Sequence, residues 1–153
     1  MDNNLSEKDE NLIFIYEGDV LNSKRAGHGK ITFYNHNLIS TNSTTIHSKN
    51  KILSYEGHWH NDKKNGYGEQ RWLDNCVYKG YWKDDRMDGF GVYTSEKHTY
   101  TGLFKQDKRH GPGQLEYPNG RVFQGHFQNN KRHGEGKLYY KSHVKDLVYY
   151  YDK

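Results

Sequence analysis

The sequence predicts an all-β repeat protein: one elongated, single antiparallel sheet of about five stacked β-hairpins, open at both ends. Three observations predict this fold. A two-part motif recurs through most of the 153 residues, side chains alternate with the period of two that marks a β-strand, and glycine holds fixed positions in every copy. Because only 32% of the residues are hydrophobic while 15% are aromatic, we expect a thin core built from rings.

The motif begins with an aromatic residue that is followed two positions later by glycine. The aromatic stands at positions 16, 55, 78, 100 and 123, so successive copies begin 39, 23, 22 and 23 residues apart. A Gly-x-Gly begins 11 residues after each of these aromatics. A constant offset in five copies indicates a repeated unit that is stable only when it stacks on its neighbours.

Each copy is predicted to be a β-hairpin. Its first strand places large residues and glycine on one face, as in Tyr55, Gly57 and Trp59, with polar residues between them. Its second strand carries the Gly-x-Gly and follows a polar turn such as 61–65. The glycines are expected to let an aromatic of the next hairpin lie over the backbone, which would give a ladder of rings on one face.

The segment from Tyr55 to Gly68 reads Tyr-Glu-Gly-x-Trp followed by Gly-Tyr-Gly, and it resembles the membrane occupation and recognition nexus (MORN) repeat. The resemblance covers residues 16–140. Copy one departs from it with Val20, and copy five with Phe127, at the position of the tryptophan. The resemblance implies a non-enzymatic scaffold of cytoskeletal or membrane-associated assemblies, ciliary axonemes and their radial spokes among them. In some members of the family the sheet's groove binds a helix of a partner.

Three segments lie outside the repeats. Residues 1–11 are predicted to be a flexible polar segment, 12–140 the repeat domain, and 141–153 a capping segment that starts a sixth hairpin and covers the sheet edge. Within the repeat domain, residues 35–50 account for the 39-residue spacing and are predicted to form a long loop. An enzyme site in that loop is kept as a third hypothesis.

No residue pattern supports catalysis, a cofactor or a metal site. The segment 27–30, Gly-His-Gly-Lys, lacks the Ser or Thr and the upstream glycine of a phosphate-binding loop. His58 and His60 share a strand face, but no further ligand completes a site. Cys76 is the single cysteine and has no patterned base beside it. We therefore expect a non-enzyme that binds neither cofactor nor metal.

The net charge and the targeting signals of the sequence limit the classes of partner and the cellular location that we expect. The net charge of +4 is too mild to predict a nucleic-acid partner. One cysteine, an acidic start and no long apolar run predict a cytoplasmic protein, and the resemblance adds the cytoskeleton, the cilium or the flagellar axoneme. A homodimer through the ends of the sheet is left open.

The first candidate site is the aromatic face. Rings beyond those that a thin core can bury would offer a groove to a helix or an extended segment of another protein. The predicted partner-binding residues are Tyr55, Trp59, Tyr78, Trp82, Tyr100, Phe104, Phe123 and Phe127.

The second candidate site is the row of hairpin turns. Basic pairs recur there at one register and could contact an anionic phospholipid surface, although neighbouring aspartates dilute their charge. The predicted lipid contacts are Lys24, Arg25, Lys63, Lys64, Lys108, Arg109, Lys131 and Arg132. Peripheral membrane binding is therefore the alternative to the protein scaffold.

Overall fold

The computed structural model describes residues 12–35, 52–141 and 143–152 and confirms the predicted fold class. They form one 11-stranded antiparallel sheet whose strands follow each other in chain order. The strands are β1 Leu12–Leu21, β2 Lys24–Asn35, β3 Ile52–His60, β4 Lys63–Trp72, β5 Val77–Lys83, β6 Arg86–Thr94, β7 Thr99–Lys105, β8 Lys108–Glu116, β9 Arg121–Gln128, β10 Lys131–Tyr140 and β11 His143–Asp152. The predicted flexible segment 1–11 and residues 36–50 of the predicted loop lie outside the described residues, whereas Asn35 ends β2.

The five predicted hairpins all close through two-residue turns. In the second hairpin Asn61 and Asp62 have φ of 47° and 67°, and the other four turns likewise have two residues with positive φ. Positive φ at both central residues is the requirement of a type I′ turn, whose twist matches that of the flanking strands. Asn and Asp tolerate this conformation better than other side chains, so these turns explain the Asn and Asp between the two halves of each copy.

Each hairpin is bent by an irregularity in its ladder. Gly57 pairs with Gly68 and Trp59 pairs with Lys64. An advance of two residues along β3 is therefore matched by four residues along β4, so β4 holds two extra residues. The same shift occurs in the other hairpins. Extra residues in one strand bend it and increase its twist, so the tip of each hairpin is turned relative to its base.

The paired glycines make room for the ring of their own hairpin. A Cβ on Gly68 would lie 2.4 Å from the Tyr55 hydroxyl, and a Cβ on Gly57 would lie 2.7 Å from it. That hydroxyl donates a hydrogen bond to the His58 carbonyl oxygen at 2.9 Å. The expectation of a ring from the next hairpin was wrong for the space that the missing side chains leave, because Tyr55 sits on the strand that also carries Gly57. The next hairpin contributes Trp82, whose Nε1 donates to the Gly68 carbonyl oxygen.

The rings form a continuous ladder through all five hairpins. Tyr55 makes edge-to-face contacts with Trp59 of its own hairpin and Trp82 of the next, with centroids 5.0 and 5.5 Å apart. Trp59 and Trp82 also donate from Nε1 to glycine carbonyls of the preceding hairpin. The aromatic ladder comprises Tyr16, Trp59, Tyr55, Trp82, Tyr78, Phe104, Tyr100, Phe127 and Phe123 in order of contact.

Hairpin tips are joined by a reciprocal pair of hydrogen bonds. The second turn residue, Asp85, donates its N–H to the Lys64 carbonyl at 3.0 Å, and its Oδ1 accepts the N–H of Lys64 at 2.9 Å. Asp62, Asp107 and Asn130 make the same two bonds to the hairpin before them. An Asp or Asn at this turn position therefore stabilises both the turn and the stacking of hairpins.

The segment predicted to cap the sheet contains one further strand. β11 pairs antiparallel with β10, from Gly134 opposite Asp152 to Tyr140 opposite His143. It extends the sheet beyond the fifth hairpin, and its capping role stays a prediction.

Candidate partner-binding surface

The face opposite the ladder carries exposed apolar side chains. Tyr67 on β4 lies opposite Tyr81 on β5 with ring centroids 5.6 Å apart, and Phe90 on β6 lies opposite Leu103 on β7. Tyr67, Tyr81 and Phe90 are 51–52% exposed and Leu103 is 38% exposed. With the exposed Pro112 on β8, these residues form an apolar row across five strands, which we call the outer band.

A groove of about 800 Å³ lies along the outer band over β6 to β10. Paired glycines, such as Gly102 and Gly113, line its middle. Phe90, Leu103 and Pro112 flank the glycines on one side and Thr101, Gln114 and Gln124 on the other, while His126, Glu135 and Lys137 line the β9–β10 end. Bare backbone in the middle lets a ligand approach closely, while the two sides differ in chemistry.

On the same face, a second groove of about 510 Å³ over β2 to β4 is charged. The Glu69 carboxylate forms ion pairs with Lys79 Nζ at 2.8 Å and with the Arg71 guanidinium at 2.5 Å, and Lys30 Nζ lies 3.5 Å from Glu56 Oε2. Burial opposes ionisation of Glu69, but the hydrogen bond from Lys79 and the charge of Arg71 together lower the pKa of its carboxyl. The charges of this groove are largely paired with each other, and they line more of it than in the groove over β6 to β10, where Glu135 and Lys137 are the charged lining residues.

The eight predicted partner-binding rings all lie in the core. Their exposed fractions run from 0% to 6% for Tyr55, Trp59, Tyr78, Trp82, Tyr100, Phe104, Phe123 and Phe127. A cavity of about 310 Å³ touches only Tyr55 and Trp59 among them. Their role as partner contacts stays a prediction, and exposed rings lie instead in the outer band and at Phe14, Tyr34 and Tyr140.

The eight predicted lipid-contact residues divide into two sets. Arg25, Lys64, Arg109 and Arg132 fold back over ladder rings, with Lys64 Nζ 4.0 Å from the Trp82 centroid and Arg25 Cζ 4.2 Å from that of Trp59. Each of these partly buried cations is attracted to the face of the ring that it covers, which is a cation–π interaction. The exposed set is Lys24, Lys63, Lys108 and Lys131, each the first residue of its strand.

Lys64 is the most perturbed of these cations. Burial among the rings lowers the pKa of its ammonium to about 8, although Asp85 and Asp107 act in the opposite direction. Its Nζ donates to Gln70 Oε1 at 2.6 Å, and Gln70 is itself 3% exposed. Met87 occupies the same place in the third hairpin, so the position accepts an uncharged side chain.

Metal-binding and nucleophilic chemistry were considered for His58, His60 and Cys76. They contain no group of three or more His, Cys, Asp or Glu side chains that could hold a metal ion. His58 and His60 are both exposed, and the His58 ring lies edge-on to His28 at 5.6 Å. Cys76 is buried, and burial raises the pKa of its thiol, the opposite of an activated nucleophile. No helix in the described part of the chain is long and apolar enough to cross a membrane.

Sequence reasoning missed the outer band. The signal was the middle residue of Gly-x-Gly, which is Tyr67 in copy two and Phe90 in copy three. Alternation along the strand places these residues opposite the ladder, on a face that no second layer of the described residues covers.

The chain matches a known repeat family in the same five copies. The family model of the MORN repeat matches residues 16–38, 55–77, 78–99, 100–120 and 123–144, most of the chain. The five matched segments begin at the aromatic residues that define the copies. No curated protein matches the chain.

Proposed function

The chain belongs to the MORN-repeat family, and from this premise we propose that it is a non-catalytic scaffold that binds a segment of a partner protein across its repeats. The MORN repeat is a non-enzymatic module for binding proteins or membranes. The observation that carries the proposal is the outer band, an exposed apolar row beside a groove of about 800 Å³. Contiguous exposed apolar surface marks an interaction site in soluble proteins.

The shape of the outer band suits an amphipathic helix. Its residues lie on successive strands and are therefore spaced by about 4.8 Å. A helix repeats its apolar positions every turn, at a pitch of about 5.4 Å, so a helix laid across the strands would place one anchor near each residue of the band. The glycine-lined middle of the groove supports close approach of such a helix.

The recurring residues support a scaffold without catalysis. The second glycine of each Gly-x-Gly accommodates a ladder ring, and the tyrosine hydroxyls bond to backbone carbonyls in the first four hairpins. These structural roles repeat along the sheet, whereas an active site needs a single arrangement that differs from its surroundings.

We further propose that the chain is a structural subunit of a cytoplasmic cytoskeletal assembly, such as a ciliary axoneme with its radial spokes. This step depends on the family resemblance alone. Fluorescent tagging of the intact chain in its source cells tests it: the proposal expects the tag on cytoskeletal or axonemal structures, and a uniformly diffuse signal contradicts it.

A quantitative pull-down from source-cell extract tests the scaffold. Tyr81→Ser combined with Phe90→Ser removes two aromatic anchors, and we expect capture of the bound protein to fall about tenfold or more. Lys83→Ser combined with Lys105→Ser is the matched control, because both lysines are exposed, Lys83 at the end of the strand that carries Tyr81 and Lys105 at the end of β7, and both lie outside the band. Unchanged capture by the outer-band variant contradicts the proposal.

The exposed lysines favour one second candidate, binding to anionic phospholipid. Lys24, Lys63, Lys108 and Lys131 recur at the hairpin tips, although Lys63 lies 3.7 Å from Asp84. Each basic residue near such a surface contributes about 1 kcal/mol. Flotation with phosphoinositide vesicles should show binding that weakens with salt and is lost when Lys108 and Lys131 become Glu; binding that ignores both changes would exclude this candidate.

A further inference from the structure

The first strand of the sheet is exposed on both faces and along one edge. Within the described residues β1 has a single neighbour, β2. Ile13 and Ile15 project from one face and Phe14 from the other, and they are 51%, 51% and 57% exposed. An exposed apolar edge strand of this kind pairs readily with another strand.

A comparison with β9 shows what a second neighbour does. Val122 precedes its ladder ring by one residue, just as Ile15 precedes Tyr16, and Val122 is 0% exposed. β9 lies between β8 and β10, whereas Ile15 has a neighbour on one side only. A strand added to β1 would give Ile15 a second neighbour and lower its exposure toward that of Val77 and Val122, which hold the same place on β5 and β9 and are half-buried and fully buried.

The ladder-side cluster also continues to this edge. The Phe14 ring lies 6.1 Å from that of Phe33, and Phe33 packs against the buried core. A further ring beside Phe14 would extend the core rather than begin a new one.

We propose that two copies of the chain associate through β1, strand against strand and antiparallel, about a two-fold axis at Phe14. This goes beyond partner binding at the outer band and uses a different surface. With the axis at Phe14, Ile13 of one copy lies opposite Ile15 of the other, and Phe14 faces itself. Residues 12–16 carry no charge, so this register brings no like charges together.

Other registers are poorer. Moving the axis to Tyr16, nearer the middle of β1, would place Asp19 opposite the apolar Ile13 of the other copy. The ladder irregularity between Gly18 and Val20 also bends the strand, which limits its straight part to the residues before it. A short isologous interface of this kind belongs to the small class of protein–protein contacts, so we expect a weak, reversible dimer.

A cysteine on the two-fold axis gives the sharpest test. Phe14→Cys should form a disulfide-linked dimer under mild oxidation, because residues directly opposite across antiparallel strands lie about 4.5–5.5 Å apart, within disulfide range. Leu21→Cys is the matched control, since it is 66% exposed on the same strand but lies away from the axis. Cys76→Ser in both variants removes the chain's other thiol.

Sedimentation equilibrium of the unmodified chain supplies the second measurement. We expect a concentration-dependent dimer that Ile13→Lys with Ile15→Lys converts to monomer, while Val20→Lys with Leu21→Lys leaves it unchanged. Circular dichroism checks that both variants stay folded. A monomer at all concentrations, open-ended polymers from pairing of β1 with β11, or crosslinking as efficient at position 21 as at 14 would overturn the proposal.

Discussion

The two faces of the sheet are built from the same repeat but differ in burial and in the contacts that their side chains make. On β5, Tyr78 points to the ladder face and is fully buried, while Tyr81, three residues later, points to the other face and is 51% exposed. Tyr78 is held by rings on two hairpins and by its hydroxyl bond to the Tyr81 carbonyl. Tyr81 contacts its cross-strand neighbour Tyr67. The same residue type therefore serves stability on one face and is left available for binding on the other.

The largest expected effect comes from truncating this pair. Tyr78→Ala removes a buried ring from the middle of the ladder and should lower the free energy of unfolding by about 3–5 kcal/mol. Tyr81→Ala should change it by no more than about 0.5 kcal/mol, as exposed substitutions do. Urea unfolding of both variants measures the contrast; equal losses would show that the two faces are not divided in this way.

A smaller effect is expected at the hairpin tips. Asp85→Ala removes the acceptor of the Lys64 N–H, and we expect it to cost about 1 kcal/mol more than Asp84→Ala. Both aspartates have positive φ, so the backbone strain of alanine is common to the two variants. Asp85→Asn should retain the stability, because Asn130 makes the same bonds in the fifth hairpin. If Asp84→Ala costs as much as Asp85→Ala, the contact between hairpin tips contributes nothing.

A third expected effect is a pH dependence from Lys64. Its pKa falls from 10.5 when unfolded to about 8 when folded, because burial disfavours the ammonium. Between these values the unfolded chain binds the proton and the folded chain does not, so stability should rise with pH from about 8 toward 10. Lys64→Met should flatten this rise, with Met87 as the chain's own precedent for methionine at this place. Urea midpoints at about pH 7.5 and pH 9.5 measure it; a rise that persists in the variant assigns it to another group.

Much of the fold was predictable because its causes are local. Gly57 and Gly68 recur at fixed offsets from Tyr55, and alternation along the strand assigns the ladder to one face. Which hairpin supplies the ring over the glycines was not predictable, because it depends on the bend at the ladder irregularity between Gly57 and Trp59.

The candidate site was less predictable. Lys64 and Gly68 are four residues apart on one strand, and residues an even number apart share a face, so Lys64 belongs to the ladder face. Its place beside a polar turn nevertheless suggested an exposed side chain. Tyr67 and Phe90 were visible in the sequence as the middle residues of Gly-x-Gly. Their exposure depends on the sheet having a single layer, and no residue pattern states what covers a face.

Tyrosine nitration, followed by mass spectrometry, tests the division between the faces most directly. In the folded chain we predict that Tyr67 and Tyr81 are modified while Tyr55 and Tyr78 stay unmodified, since burial raises the pKa of both buried hydroxyls and shields their rings. In a complex with the partner captured by the pull-down, Tyr81 should also become protected. Equal modification of Tyr78 and Tyr81 in the free chain, or a complex in which Tyr81 reacts as before, would contradict the account.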